Sequence, residues 1–121
     1  IYLGHRGQRD YDLVVAEDAA GNVAGYMTWG PTPLALGTYD LYWMAVSPKA
    51  QGRGHGKALV RWLEGRVAEL GGRLIVIETS STPRYEPTRK FYLGLGYRET
   101  ARIPDFYQPG DDRVIYTKRL V

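Results

Sequence analysis

Cysteine is absent from the 121-residue chain, which excludes disulfides, cysteine-ligated zinc and a cysteine nucleophile. A chain without cysteine fits a reducing compartment, and a cytoplasmic location is expected. Long apolar runs are also lacking. No stretch approaches the ~18 residues of a membrane span, and none reads as a signal peptide. Charge of one sign is not concentrated either. The net charge is +3, which suits an anionic ligand, but the sixteen Lys and Arg residues are spread along the chain. A nucleic-acid-binding domain more often carries one dense basic stripe, so neither nucleic acid nor membrane is expected as a partner. The chain starts at Ile1 rather than Met, so it is either processed or without its natural first residues.

What is present suits one globular domain over residues 1–121. Hydrophobic residues make up 44% and charged residues 24%, close to the globular average. Ten Tyr, three Trp and two Phe can supply much of the core. Gly and Pro together stay below the ~25–30% that marks low complexity.

The pattern predicts a strand over Tyr11 to Glu17, a turn at Gly21-Asn22 and a returning strand over Val23 to Trp29. Pro31 to Gly37 reads as a loop, and Tyr39 to Val46 as an apolar-aromatic strand ended by Ser47-Pro48. Leu59, Trp62, Leu63, Val67 and Leu70 form a helical stripe, closed by Gly71-Gly72. Leu74 to Ile77 has the look of a strand buried on both faces. Pro87 opens a second helix running to about Leu95, with Gly96 beyond it. Tyr97 to Ile103 and Arg113 to Leu120 read as two last strands around a Pro109-Gly110 turn. The expected class is α+β: a mixed, mostly antiparallel sheet with a central parallel strand–helix–strand unit.

The most informative segment joins the third strand to the first helix. Gly52, Gly54 and Gly56 alternate there with Arg53, His55 and Lys57, after Gln51. Alternate glycines let backbone N–H groups converge and let a ligand approach closely. The helix N-terminus adds free donors and a positive dipole end. A phosphate or pyrophosphate is therefore the expected ligand. A Walker loop is excluded, because its first Gly is replaced by Gln51 and its Ser or Thr by Ala58. A dinucleotide fingerprint starting at Gly52 is excluded by Lys57 in place of its third Gly.

Gln51-x-x-Gly54-x-Gly56, after Ala45-Val46-x-Pro48, resembles the acetyl-CoA signature of the GNAT superfamily of N-acetyltransferases. Thr88-Arg89-Lys90-Phe91-Tyr92, followed by Gly96-Tyr97, resembles that superfamily's second signature. The resemblance covers roughly Tyr11 to Val121. Members usually begin with a strand and two helices that wall the acceptor cleft. Only residues 1–10 precede Tyr11, so an N-terminally short member is expected, with its acceptor side least defined.

The resemblance implies transfer of the acetyl group of acetyl-CoA to an amine by direct attack in a ternary complex. Three needs follow: a neutral amine, a donor for the oxyanion, and a proton or strong hydrogen bond for the leaving thiolate. Tyr92 matches the family tyrosine near the CoA sulfur, and it is the expected thiolate partner. Met44, Ala45 and Val46 match the strand whose backbone pairs with the pantetheine amides. Gln51 to Lys57 match the pyrophosphate turn, with His55 there rather than acting as base. Tyr85 stands seven residues before Tyr92, on the same face if the helix reaches that far, where members often carry an Asn that contacts the pantetheine. Two carboxylates compete as general base. Asp40 lies on the strand leading to the glycine turn, and Glu78 closes the strand Leu74 to Ile77. His5 is less suited, lying in the N-terminal stretch. No metal is expected, since the two His lack ligand spacing. Tyr107 is expected beside the acceptor. Asp111 and Asp112 follow Pro109-Gly110 and read as turn chemistry.

Two other readings stand beside this one. A non-catalytic acyl-CoA sensor on the same fold would bind acetyl-CoA without releasing thiol. A basic nucleic-acid-binding domain would show affinity falling steeply with salt. The acceptor stays open among protein N-termini, lysines, polyamines, amino acids and drugs. An open sheet edge is compatible with a homodimer.

Overall fold

The computed structural model describes the backbone of Tyr2 and Leu3 and residues 11–121. Seven strands form one sheet in the order β1-β2-β3-β4-β5-β7-β6. They are β1 (Tyr2–Leu3), β2 (Asp12–Glu17), β3 (Val23–Pro31), β4 (Thr38–Val46), β5 (Leu74–Ser80), β6 (Arg98–Gln108) and β7 (Asp111–Arg119). Helix α1 (His55–Glu69) joins β4 to β5, and α2 (Glu86–Gly94) joins β5 to β6. Among the described residues only β4 and β5 pair in parallel; every other pairing is antiparallel. The expected α+β class and its central parallel unit are therefore observed, with the short β1 added at one edge.

Both helices lie on one face of the sheet and enclose the core. Met27, Leu63, Val60, Ile75, Val67, Val114 and Tyr97 are its largest fully buried side chains. The buried stripe of α1 is Leu59, Val60, Leu63 and Val67. It differs from the expected stripe at three points, the first being that Val60 joins it. Trp62 sits at the stripe's edge and packs edge-on to Trp29, ring centroids 5.9 Å apart. Leu70 caps the helix end and is 45% exposed. Gly71 takes the left-handed geometry, at φ 79°, but Gly72 serves close approach. A Cβ on Gly72 would lie 2.3 Å from Val67 Cγ1 and 3.0 Å from the Val67 carbonyl oxygen.

Several strands outrun their expected ends. β3 continues to Pro31, and β5 continues through Glu78 to Ser80. β5 is also not buried on both faces: Ile75, Ile77 and Thr79 are buried, while Leu74 and Val76 are half-covered. Among the described residues only one face of the sheet carries helices, so the period-2 alternation returns. β6 is an exposed edge strand of eleven residues, longer than expected. Pro104 and a register shift after Ile103 interrupt its pairing.

Candidate active site

The site begins with a defect in β4. Thr28 pairs with Trp43 and Trp29 with Leu41, so Tyr42 is an extra residue, a β-bulge. Thr28 Oγ1 accepts the Trp43 backbone N–H at 3.1 Å and holds the bulge. A bulge bends its strand and increases its twist. Pairing between β4 and β5 ends at this place, with Leu41 opposite Ile77 as the last partners. Beyond it β4 keeps β3 on one side, down to Gly25 opposite Val46, and loses β5 on the other. The backbone edge of Met44, Ala45 and Val46 that faces away from β3 has no strand partner among the described residues. Those are the residues expected to present main-chain groups.

A cleft of ≈ 580 Å³ fills the gap. β4 contributes Leu41 to Met44, β5 contributes Ile77 to Ser80, and Tyr85, Thr88 and Tyr92 come from the α2 side. Tyr107 and Asp111 close it from the β6–β7 hairpin. Tyr92 is 4% exposed. Burial alone pushes its phenol up to about 12. No protein group hydrogen-bonds that hydroxyl among the described residues. Its ring is fixed by Phe91, Tyr97 and Tyr116, at centroid distances of 5.3, 6.0 and 6.4 Å. Tyr85 also lines the cleft, but from a 3-10 turn at Pro83–Tyr85 ahead of α2. The helix starts one residue later than a shared helical face with Tyr92 requires.

The glycine turn stands beyond the far end of β4. Gly52 and Gly54 hold φ of 80° and 82°, which L side chains rarely adopt. Gly54 is the N-cap of α1, with no side-chain cap and no acidic residue in the first turn. The first helical bond runs from the Ala58 N–H to the Gly54 carbonyl at 2.9 Å. The amides of His55, Gly56 and Lys57 therefore precede it and are free for an anion. Arg53 and Lys57 are exposed beside them. Gly56 has a different task from its neighbours. Its Cβ position lies 3.3 Å from Phe91 Cζ, so it lets α1 approach α2. Gln51 reaches back, its side-chain amide donating to the Val46 carbonyl at 3.4 Å.

The two candidate bases separate. Asp40 sits in the paired part of β4, between Gly30 and Val76, and does not line the cleft. Its position upstream of the bulge was invisible to a reading that knew only the strand. Glu78 does line the cleft, but Arg113 holds it in a two-pronged ion pair, with Nη2 3.0 Å from Oε1 and Nε against Oε2. Tyr107 lies in the same field. Its phenol is pushed up first by burial and then by the charge of Glu78, with Asp111 adding and Arg113 opposing. His5 lies outside the described residues.

Asp111 corrects the sequence reading. It is not a solvated turn residue but is buried, and it opens β7. Its Oδ1 accepts the Ser80 hydroxyl at 2.5 Å and the Ser81 N–H at 3.3 Å. Ser80 Oγ also contacts Thr82 Oγ1 at 2.9 Å, and Arg89 Nη1 bonds the carbonyls of Ser80 and Thr82 at 2.9 Å each. Asp112 keeps more of the expected role: its carboxylate accepts the Asp105 N–H at 2.9 Å and pairs with Arg102. No local pattern separates two adjacent aspartates of opposite fate. The β5–β7 register does, and it places the hairpin entrance beside the end of β5.

Residues 9–99 match the model of the acetyltransferase (GNAT) domain. The chain belongs to the GNAT acetyltransferase family. A crystal structure of a Desulfovibrio desulfuricans protein assigned to the same GNAT family is 43% identical, with a TM-score of 0.88 over 93% of this chain and 71% of that one. An uncharacterized N-acetyltransferase of Methanocaldococcus jannaschii is 28% identical over 100 residues, 82% of this chain and 58% of the relative. The chain thus spans under two thirds of that relative's length. An aminoglycoside 6'-N-acetyltransferase crystallised with coenzyme A shares the fold at 21% identity, with a TM-score of 0.80 over 94% of this chain and 75% of that one.

Proposed function

We propose that this GNAT chain is an acetyl-CoA-dependent N-acetyltransferase acting on an amine by direct transfer in a ternary complex. The observation that carries the reading is the parting of β4 from β5 after Leu41 and Ile77, with Tyr92 lining the gap. When bound, acetyl-CoA supplies the activated acetyl thioester. The residues present suit such a ligand. Met44, Ala45 and Val46 offer an extended amide chain a backbone edge without a strand partner among the described residues, its Val46 carbonyl already bonded by Gln51. Gly52 to Lys57 offer an uncapped helix N-terminus to a pyrophosphate. Gln51 supports the turn through Val46. Tyr85 lines the cleft wall beside the amide chain's path.

Tyr92 hydrogen-bonds the departing sulfur. Glu78 orients a water that takes the proton of the attacking amine, since its ion pair with Arg113 suits a relay better than direct abstraction. Asp40 has no part in this scheme. A cytoplasmic location fits an acetyl-CoA-using chain without cysteine.

The test is calorimetry with acetyl-CoA, together with thiol release over a panel of amines. Wild-type protein binds acetyl-CoA and releases thiol with at least one amine. Gly54→Glu, which adds a charge and strains the left-handed cap, keeps its circular dichroism and loses acetyl-CoA affinity. A folded wild-type protein that ignores acetyl-CoA overturns the reading. Binding without thiol release from any amine replaces it with the non-catalytic acyl-CoA module.

A further inference from the structure

The cleft contains two carboxylates, and the protein neutralises only one of them. Glu78 is matched by Arg113, whose guanidinium also lies over the Phe106 ring, 5.0 Å from its centroid, and does not line the cleft. Among the described residues Asp111 has neutral partners alone, the Ser80 hydroxyl and the Ser81 N–H, both on one oxygen. Among the described residues no Lys or Arg forms an ion pair with it. It is nevertheless only 9% exposed. A nearly buried carboxylate with neutral donors carries a desolvation cost that an arriving cation would offset.

Its surroundings favour the same visitor. Trp43, Tyr85 and Tyr107 line the cleft and stay substantially exposed, with Trp43 at 62%. Aromatic faces attract ammonium and guanidinium groups. No Lys, Arg or His lines the cleft among the described residues. A carboxylate on the acceptor would therefore meet a net negative wall with no counter-charge.

A cation paired with Asp111 cannot be the reacting nitrogen. An ammonium paired with a carboxylate keeps its proton more firmly, whereas attack on a thioester needs the neutral amine. We propose that Asp111 docks a second cationic group of the acceptor, so that this chain acetylates diamines and related polycationic amines and discriminates against amines bearing a carboxylate. The inference rests on the acetyltransferase reading and specifies its acceptor.

A series of four-carbon amines tests it: 1,4-diaminobutane, n-butylamine and 4-aminobutanoate, which share the aminopropyl arm and differ in the group at its far end. With acetyl-CoA saturating, kcat/KM should fall in that order. The diamine should lead n-butylamine by about 10- to 100-fold, the scale of a charge-assisted hydrogen bond. Asp111→Asn keeps an oxygen for Ser80 and Ser81, so the fold and acetyl-CoA affinity should hold while the diamine's lead shrinks to about twofold. Asp111→Glu, which restores the charge, should recover part of the lead. Calorimetry of the three amines on CoA-loaded protein ranks them without turnover. The same ranking there supports the docking role even if the transfer reading fails. Should 4-aminobutanoate match the diamine, or Asp111→Asn leave the diamine's lead intact, the inference is overturned while the acetyltransferase reading stands.

Discussion

Replacing Tyr92 by Phe removes one oxygen from a nearly buried ring and tests the centre of the mechanism. The hydroxyl has no protein hydrogen-bond partner among the described residues, and burial alone pushes its phenol up to about 12. Stability should therefore change by less than about 1 kcal/mol, since no internal hydrogen bond is lost. The ring contacts with Phe91, Tyr97 and Tyr116 persist. The raised phenol also bounds the catalytic loss. A thiol of ordinary pKa ≈ 8.5 is the stronger acid by about 3.5 units, so full proton transfer from Tyr92 would run uphill by roughly 5 kcal/mol. A hydrogen bond to the thiolate avoids that cost and contributes about 1.5–3 kcal/mol. Turnover of Tyr92→Phe should thus fall by about 10- to 100-fold, in the lower part of the range for general acid catalysis. Thiol release at saturating acetyl-CoA reads the rate, calorimetry the affinity, and a thermal melt the fold. Because the phenol ionises only near 12, it should produce no break in the wild-type pH profile below about pH 10. Turnover within twofold of wild type would refute the hydrogen bond. A loss near 10⁴-fold with affinity intact would refute the argument from acidity, because it would require full proton transfer.

Gly72→Ala should lower the melting temperature clearly, by about 1–3 kcal/mol in stability, because its Cβ would overlap Val67 Cγ1. Gly65→Ala, with nothing near its Cβ position, should be neutral or stabilising on the exposed face of α1. Tyr97→Phe removes the 2.9 Å bond that its hydroxyl donates to Glu64 and should cost about 1–2 kcal/mol by denaturant unfolding. Burial would raise the Glu64 carboxyl, but bonds from Arg61, Lys118 and Tyr97 outweigh it and hold the group below its ordinary 4.5. Its contribution is therefore present above pH 4.5 and lost as pH falls through the lowered value. Glu64→Gln should flatten that acid limb of the stability profile. At the alkaline end, Tyr92 stabilises the fold below about pH 10 and loses that effect as pH rises through about 12, which Tyr92→Phe should abolish.

The order of elements was legible because each left a local mark. Apolar runs on either side of the Gly21-Asn22 turn marked β2 and β3, the 3.6-residue stripe marked α1, and glycine or proline marked most ends. The glycine turn was legible for the same reason: left-handed backbone at Gly52 and Gly54 admits few residue types, so the need shows in the sequence. Tyr92 was readable from a short motif on one helix. Strand lengths were less so, since the continuation of β5 through Glu78 to Ser80 depends on β7 pairing beside it.

The sequence by itself determined the α+β order, the phosphate-suited turn and the tyrosine of α2, all properties of neighbours along the chain. Only the tertiary structure decided which acids meet the cleft. Asp40, Glu78 and Asp111 look alike as carboxylates near strand ends. The bulge at Tyr42 opens the cleft one residue after Leu41, which leaves Asp40 in the paired sheet and brings Glu78 to the gap. The β5–β7 register then sets Arg113 against Glu78 and Asp111 against Ser80. Charge pairing between residues more than thirty positions apart is fixed by strand register, and register is settled by the packing of a whole sheet rather than by any segment within it.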